Sequence, residues 1–306
     1  MSFSRRRFLT ITAAACGCAA LPAHAETQAT WRGIALGAPA SLRLVGITED
    51  KAQMIFAAVE AELQRLEGIF SLYRSESALS RLNRDGFHRT PPADLLAVLA
   101  LSDHLHKTSH GAFDPTVQPI FEVIAQATNE GRDPSLEDLD VARSKVGWDG
   151  IEFDTSQVNL RRDGAALTLN GIAQGYITDR IVDLLRSHDL TNALVDMGEL
   201  RAQGYAADGQ PWRAGIQAPS GEIATRVTFS ARALATSAPF GTQFGASGHI
   251  FDPKTGTNPK ALEVVSVTAP AAALADGLST ALSVLLPVEH AAFMATFPDC
   301  EIVYRA

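Results

Sequence analysis

Residues 271–287, AAALADGLSTALSVLLP, restrict the possible folds more than any other stretch. Ala, Leu and Val run almost without interruption and Pro287 closes the run. That is the pattern of a helix apolar on all sides, which belongs in an interior. Yet Asp276 sits within it, and Thr280 follows four residues later. A buried, unpaired carboxylate costs several kcal/mol or gives up its charge, so something positive has to meet Asp276. Positions i and i+4 share a helix face, so Thr280 points the same way. A carboxylate and a hydroxyl are hard oxygen ligands, suited to Mg2+ rather than zinc. The same spacing also fits Thr280 bonded back to a carbonyl and Asp276 capping a neighbouring element.

The start of the chain speaks to compartment. SRRRFLT, from Ser4 to Thr10, is followed by a short Ala-rich apolar run and by AHA ending at Ala25. A basic region, a short apolar region and a small-residue cleavage site make an export signal, here of the twin-arginine type that carries folded proteins. The expected organisation is a signal at 1–25, a single domain at 26–306 and a periplasmic location. Removing the signal takes three arginines and no acids from a formal net charge of −8, and −8 less 3 is −11. That balance argues against a nucleic-acid partner. Cys16 and Cys18 fall in the signal, so Cys300 alone remains and no internal disulfide or paired-cysteine site is expected. No second run is long enough to span a membrane.

Periodicity gives mixed elements. ASLRLVGI alternates as a half-buried strand does, and 50–68 has helical spacing closing on Gly68. LLAVLALSDHLHKTS and AQGYITDRIVDLLRSHD read as helices. IEFDTSQVNLRRDGAALTLN, NALVDMG, TRVTFSARALATS, LEVVSVTAP and DCEIVY read as strands. Many strands follow one another through short turns, which favours an α+β fold with largely antiparallel sheets over a doubly wound one. Neither standard dinucleotide loop, GxGxxG or GxxxxGK[ST], is present.

Three further segments carry chemistry-bearing residues. HGAFDPTVQPI sets Asp114 between an aromatic and a proline, GHIFDPKTGTNP contains His249 and Asp252, and LNGIAQGYITD places Gly171 and Gly175 around Ala173 at a helix start. Taken singly, the first two are turn chemistry. The third would expose N–H groups to a phosphate. Together with FSLYRSESALSRLNR, ALATS and ADGLSTAL, and in this order, they resemble the ApbE family of FAD:protein FMN transferases, from near Gly37 to the end of the chain.

The resemblance implies an ApbE-like α+β fold with packed helices and an FAD cleft between two lobes. It implies an enzyme that cuts FAD, attaches FMN to a Ser or Thr hydroxyl of an acceptor flavoprotein and releases AMP, with Mg2+ as cofactor and FAD as substrate. Carried onto this chain, the metal ligands are Asp276, Thr280 and the main chain of Ala173, so that the positive partner of Asp276 is Mg2+. His249 becomes the candidate base for the acceptor hydroxyl. Ala112, Phe113, Asp114, Asn170, Tyr176 and Ile250 become FAD contacts. The chain departs from the family pattern at Gln174, where a lysine is usual, at Thr168, at VDMGELRAQG and at SAPFGTQF. This combination resembles the NosX branch linked to nitrous oxide reduction, whose implied acceptor is an FMN-binding domain of the membrane protein NosR. Two alternatives stand beside it: a non-catalytic periplasmic FAD-binding or delivery protein, and a pyrophosphatase giving FMN and AMP.

Overall fold

The computed structural model describes residues 9–11, 27–244 and 247–306. Most of the expected signal, residues 1–8 and 12–25, lies outside them. The chain opens with strands β1 (Leu9–Ile11), β2 (Gln28–Ala35) and β3 (Ala38–Val45), then α1 (Glu49–Phe70), α2 (Ala78–Asp85), β4 (Phe87–Arg89), α3 (Ala93–Thr108), α4 (Gln118–Asn129) and α5 (Leu136–Ser144). Next come β5 (Ile151–Phe153), β6 (Gln157–Leu160), α6 (Ala173–Ser187), β7 (Ala193–Asp196), β8 (Leu200–Gln203), β9 (Trp212–Gln217), β10 (Ile223–Phe229) and β11 (Ala233–Ser237). The chain ends through β12 (Gln243–Phe244), β13 (Ser247–Gly248), β14 (Val265–Ala269), α7 (Ala272–Val284), α8 (His290–Met294) and β15 (Glu301–Arg305).

A seven-stranded sheet in the order β15-β14-β11-β8-β7-β3-β2 organises the molecule, with every neighbouring pair antiparallel. β7 and β14 are buried along their whole length, because both faces of the sheet are covered. On one face Leu42, Leu44, Val195 and Val267 join the principal core with α1, α3, α6 and α7. On the other, Leu194, Leu200 and Ala202 pack against Trp212, Ile216 and Phe229 of β9 and β10. A satellite cluster of α4, α5 and Phe251 stands apart from the principal core. The cavity described below opens between the two. This is the expected α+β architecture.

Several local expectations change. The first helix runs through Gly68 to Phe70, since burying Ile69 and Phe70 outweighs the helix-breaking tendency of glycine. Residues 164–170 form no strand. Asn83 takes the place of a neighbouring strand there, with its side chain donating to the Leu167 carbonyl and accepting from the Leu167 N–H, both at 2.8 Å. The apolar run 225–237 breaks at Ala231, whose φ is +52°, and the two halves enter different sheets.

Candidate active site

The site begins where α6 and α7 meet at their N-termini. A Cβ on Gly175 would stand 2.3 Å from the Ala272 carbonyl oxygen, so only glycine lets the helices approach this far. The contact is closed reciprocally. Asp179 of α6 accepts from the N–H groups of Ala272 (2.8 Å) and Ala273 (2.9 Å). Asp276 of α7 accepts from the Gly175 N–H through Oδ2 at 3.1 Å. Each helix start is thus capped by a carboxylate of the other helix, where the helix dipole favours negative charge. Asp179 also pairs with Arg201 of β8, and burial still pushes its carboxyl above the usual range. The first positive group to meet Asp276 is therefore the start of α6.

The Asp276 carboxylate also belongs to the wall of a cavity. The residue is 4 % exposed, and the cavity measures about 770 Å3. One turn along, the Thr280 hydroxyl lies 3.4 Å from the Gly171 carbonyl oxygen and 3.3 Å from the Ser237 hydroxyl. A Cβ on Gly171 would sit 2.8 Å from that hydroxyl oxygen, so glycine is what brings the loop carbonyl within reach. A carboxylate, a hydroxyl and a main-chain carbonyl converge as hard oxygen donors, and a divalent cation of the Mg2+ type fits them. The expected main-chain ligand, Ala173, begins α6 with its side chain in the core. It is not among the residues lining the cavity, whereas Gly171, two residues earlier, is.

Across the cavity, Ala112 and Phe113 are buried and present apolar surface. Asp114 caps a short turn at Pro115–Val117. Its Oδ1 accepts from the Thr116 N–H (2.8 Å) and hydroxyl (2.6 Å), and its Oδ2 lies 3.6 Å from Nδ1 of His106. Burial pushes its carboxyl up against these bonds. Asn170 stands exposed at the rim and Ile250 is buried in the wall.

His249 is half-buried just past the end of β13, and it lines the same cavity. Its N–H donates to the Pro239 carbonyl at 2.9 Å. The Thr242 N–H points at its Nδ1 from 3.3 Å, which makes Nδ1 the acceptor and leaves the neutral ring's proton on Nε2. Asn258 pins the loop, accepting from the Gly248 N–H (2.9 Å) and donating to the Ile250 carbonyl (2.7 Å). Asp252 is occupied as a turn former with Lys254 and Thr255.

The ApbE family model matches residues 36–304, which take in both helices of the Asp276 corner and the His249 loop. The chain belongs to the ApbE family. It is 32 % identical over 246 residues to the FAD:protein FMN transferase of Haemophilus influenzae, covering 74 % of this chain and 71 % of that relative. To the enzyme of the same name from Klebsiella pneumoniae it is 28 % identical over 308 residues, covering 94 % and 88 %. Among solved structures it is similar to the flavinyl transferase ApbE of Pseudomonas stutzeri in its apo form, with a TM-score of 0.77, 29 % identity and 88 % of each chain covered. The flavin transferase ApbE of Vibrio cholerae superposes with a TM-score of 0.79 at 25 % identity, covering 90 % and 93 %.

Ala112, Phe113, Asp114, Asn170 and Ile250 all line this ApbE-family cavity. Tyr176 does not line it. Gln174 lines the cavity, and Tyr176, two residues further along α6, is turned by about 200° from it. The Tyr176 hydroxyl donates to Asp94 at 2.8 Å and its ring meets Phe70 edge-on, while burial and Asp94 hold its proton more tightly than usual. Two residues that sequence reasoning did not assign take part instead. Glu199, 8 % exposed, lines the cavity and accepts from the Thr236 N–H at 3.2 Å. Ser237 links the hydroxyls of Ser279 (2.8 Å) and Thr280. Their signals lie in VDMGEL and ALATS, the first a departure from the family pattern and the second a family marker.

Proposed function

We propose that the protein is a Mg2+-dependent FAD:protein FMN transferase, moving FMN from FAD to a Ser or Thr hydroxyl of an acceptor flavoprotein with release of AMP. The observation that carries this reading is the convergence of Asp276, Thr280 and the Gly171 carbonyl on one wall of a ligand-sized cavity, within a chain of the ApbE family. Asp276 and Thr280 would hold the cation, with the loop at Gly171–Ala173 supplying a carbonyl. A bound Mg2+ would neutralise charge on the pyrophosphate, the main requirement in phosphoryl transfer. Ala112, Phe113 and Ile250 offer apolar surface for the flavin ring and exclude water from it. The acceptor oxygen attacks the phosphorus of the FMN half, the bond from that phosphorus to the bridging oxygen breaks, and AMP departs with the bridging oxygen. The acceptor proton goes to His249, which takes it at Nδ1 once the Thr242 N–H has released that nitrogen, while Nε2 keeps the proton it carries. Seating of the acceptor against this loop supplies the occasion.

The acceptor we infer is an FMN-binding domain of the NosR type, on the strength of the combined departures that include VDMGELRAQG and SAPFGTQF, and the compartment is the periplasm, reached through the twin-arginine signal. The test is incubation with FAD, Mg2+ and a separately purified domain carrying Asp-x-x-Ser/Thr-Gly-Ala-Ser/Thr. AMP release with covalent flavin on the domain supports the reading. AMP release with free FMN alone would make the protein a pyrophosphatase, and neither product would make it an FAD carrier, the reading that Gln174 favours. Changing Arg5 and Arg6 to Lys should hold the protein in the cytoplasm, and unchanged periplasmic accumulation would remove the export reading.

A further inference from the structure

We infer that Glu67 is a positioning residue: its carboxylate holds together the two chain segments that form the open rim of the cavity, and so sets how tightly the ligand is held without taking part in its cleavage. This rests on the reading of FAD as the cavity's ligand and adds a residue that lies outside the lining. One segment is the turn of the β2–β3 hairpin, where Leu36, Gly37, Ala38 and Pro39 line the cavity. The other follows α1 and brings Tyr73, which is 76 % exposed, to the same cavity.

Several locally unfavourable features meet at this carboxylate. Between the paired Ala35 and Ala38, Leu36 and Gly37 close the hairpin with positive φ, +46° and +77°. Such a turn suits Asn-Gly, because glycine takes the left-handed conformation freely and leucine does not. The Leu36 N–H donates to Oε1 of Glu67 at 3.1 Å, which satisfies a donor on a buried residue and holds the turn. Glu67 itself lies in the last turn of α1, where the helix dipole disfavours a negative charge and no basic residue offsets it. Compensation comes from beyond the helix, where Nη2 of Arg74 reaches Oε2 of Glu67 at 2.5 Å. Arg74 follows Tyr73 directly, so this ion pair also ties down the segment of the exposed tyrosine. The Ser71 hydroxyl oxygen helps, accepting from the N–H groups of Tyr73 (3.1 Å) and Arg74 (3.2 Å). A Cβ on Gly37 would stand 3.9 Å from the Tyr73 ring, so the two halves of the rim are neighbours. A strained leucine, an acid at the wrong end of a helix and an exposed tyrosine each break a local rule. Such violations persist only where the surroundings over-determine them, and they collect at ligand sites. Without Glu67 the turn is free to relax to a conformation ordinary for leucine, which moves the hairpin tip away from its place beside Tyr73.

The test reads binding and turnover separately, on the full chain in excess Mg2+. FAD affinity is titrated by flavin fluorescence, and transfer to the acceptor domain is followed at saturating FAD. Glu67→Ala should weaken FAD binding about ten-fold, the effect expected when a left-handed leucine loses its support. The saturated transfer rate should stay within about two-fold of wild type. Leu36→Asn supplies a residue that accepts positive φ unaided, so in its background Glu67→Ala should cost less than about two-fold in affinity. A general loss of stability would not produce that coupling. Arg74→Ala, which removes a half-exposed side chain, should cost about three-fold. Equal FAD affinity in wild type and Glu67→Ala overturns the inference, and so does a fall in the saturated rate at unchanged affinity. The same ten-fold loss in both backgrounds also overturns it, because Glu67 would then not act through the turn. If Glu67→Ala or Leu36→Asn does not fold, Arg74→Ala decides: a loss of about three-fold upholds the role of Glu67 and unchanged affinity overturns it. FAD binding without transfer removes the transferase reading alone and leaves the affinity comparisons to decide this one. No FAD binding by the wild type overturns both.

Discussion

The two walls that face each other across the cavity are built differently. The helix wall is locked. Gly175 is pressed against Ala272, Asp179 and Asp276 each cap the other's helix, and Arg201 ties Asp179 to the sheet. The loop wall, described at residues 238–244 and 247–251, is held by the short pairing of β12 with β13 and by single bonds: the His249 N–H to Pro239, the Thr242 N–H to the His249 ring, and Asn258 to Gly248 and Ile250. The first arrangement suits a group whose position must not vary, such as a metal ligand. The second suits a group that must meet a macromolecule and change its hydrogen bonding when it does. A flavin transferase needs both, because one substrate is small and the other is a protein.

The sharpest way to test this division is to separate the two roles of Asp276. Asp276→Asn keeps an oxygen for the Gly175 N–H but deletes the charge. It should lower FMN transfer by about a thousand-fold or more, as loss of a main electrostatic group does, while changing stability by less than about 0.5 kcal/mol. Asp276→Ala should lose activity as fully and also cost about 1–2 kcal/mol, the usual loss for a removed cap. AMP release and thermal melting of the two variants decide it. An active Asn variant would make Asp276 a cap and nothing more.

On the loop wall, His249→Ala should cut transfer by about a hundred-fold or more, within the range of a lost acid–base group. FAD affinity and melting temperature should hardly move. A large drop in FAD affinity instead would place His249 with the ligand-holding wall and erase the contrast.

Glycine substitutions probe rigidity directly. A Cβ on Gly175 would meet helix backbone at 2.3 Å, and one on Gly248 would meet the Pro239 carbonyl oxygen at 2.1 Å. The distances are alike, but the neighbours are not. Gly175→Ala forces two packed helices apart and should cost about 3 kcal/mol, the upper part of the range for overpacking, whereas Gly248→Ala shifts a loop and should cost about 1 kcal/mol. Equal losses in melting temperature would show the two walls to be equally stiff.

The locked wall was also the more legible from sequence. An all-apolar helix with one acid and a hydroxyl at i+4 identifies Asp276 and Thr280 before any fold is known, and Gly171 and Gly175 mark a close approach. What it was approaching could not be read, because the Gly175–Asp276 bond joins residues 101 positions apart. Helix α5 carries a full capping box at Ser135 and Asp138, and α2 has Ser77 and Gly86 at its ends. Those local signals were available and went unassigned, because neither helix has an apolar run long enough to draw notice. Glu199 was hidden for another reason. In VDMGEL it reads as the polar end of a strand, and only the turn at Gly198, with φ at +115°, delivers it to the cavity.

The smallest effect expected comes from Asp114, on the Ala112–Phe113 side of the cavity. Asp114→Asn retains an oxygen for the Thr116 N–H and hydroxyl but removes a charge that burial disfavours. The folded-state pKa of this carboxyl lies above its unfolded value, so the ionised group weakens the native state. That penalty is fully present above the folded pKa and fades as pH falls through it toward the ordinary value of 3.8. The Asn variant should therefore be as stable as wild type or more so at pH 7. Its advantage should shrink steadily as pH is lowered to 4. The opposite sign, a variant that loses stability at pH 7 and regains it in acid, would mean that the charge on Asp114 is held in place by His106 and belongs with the locked wall rather than across from it.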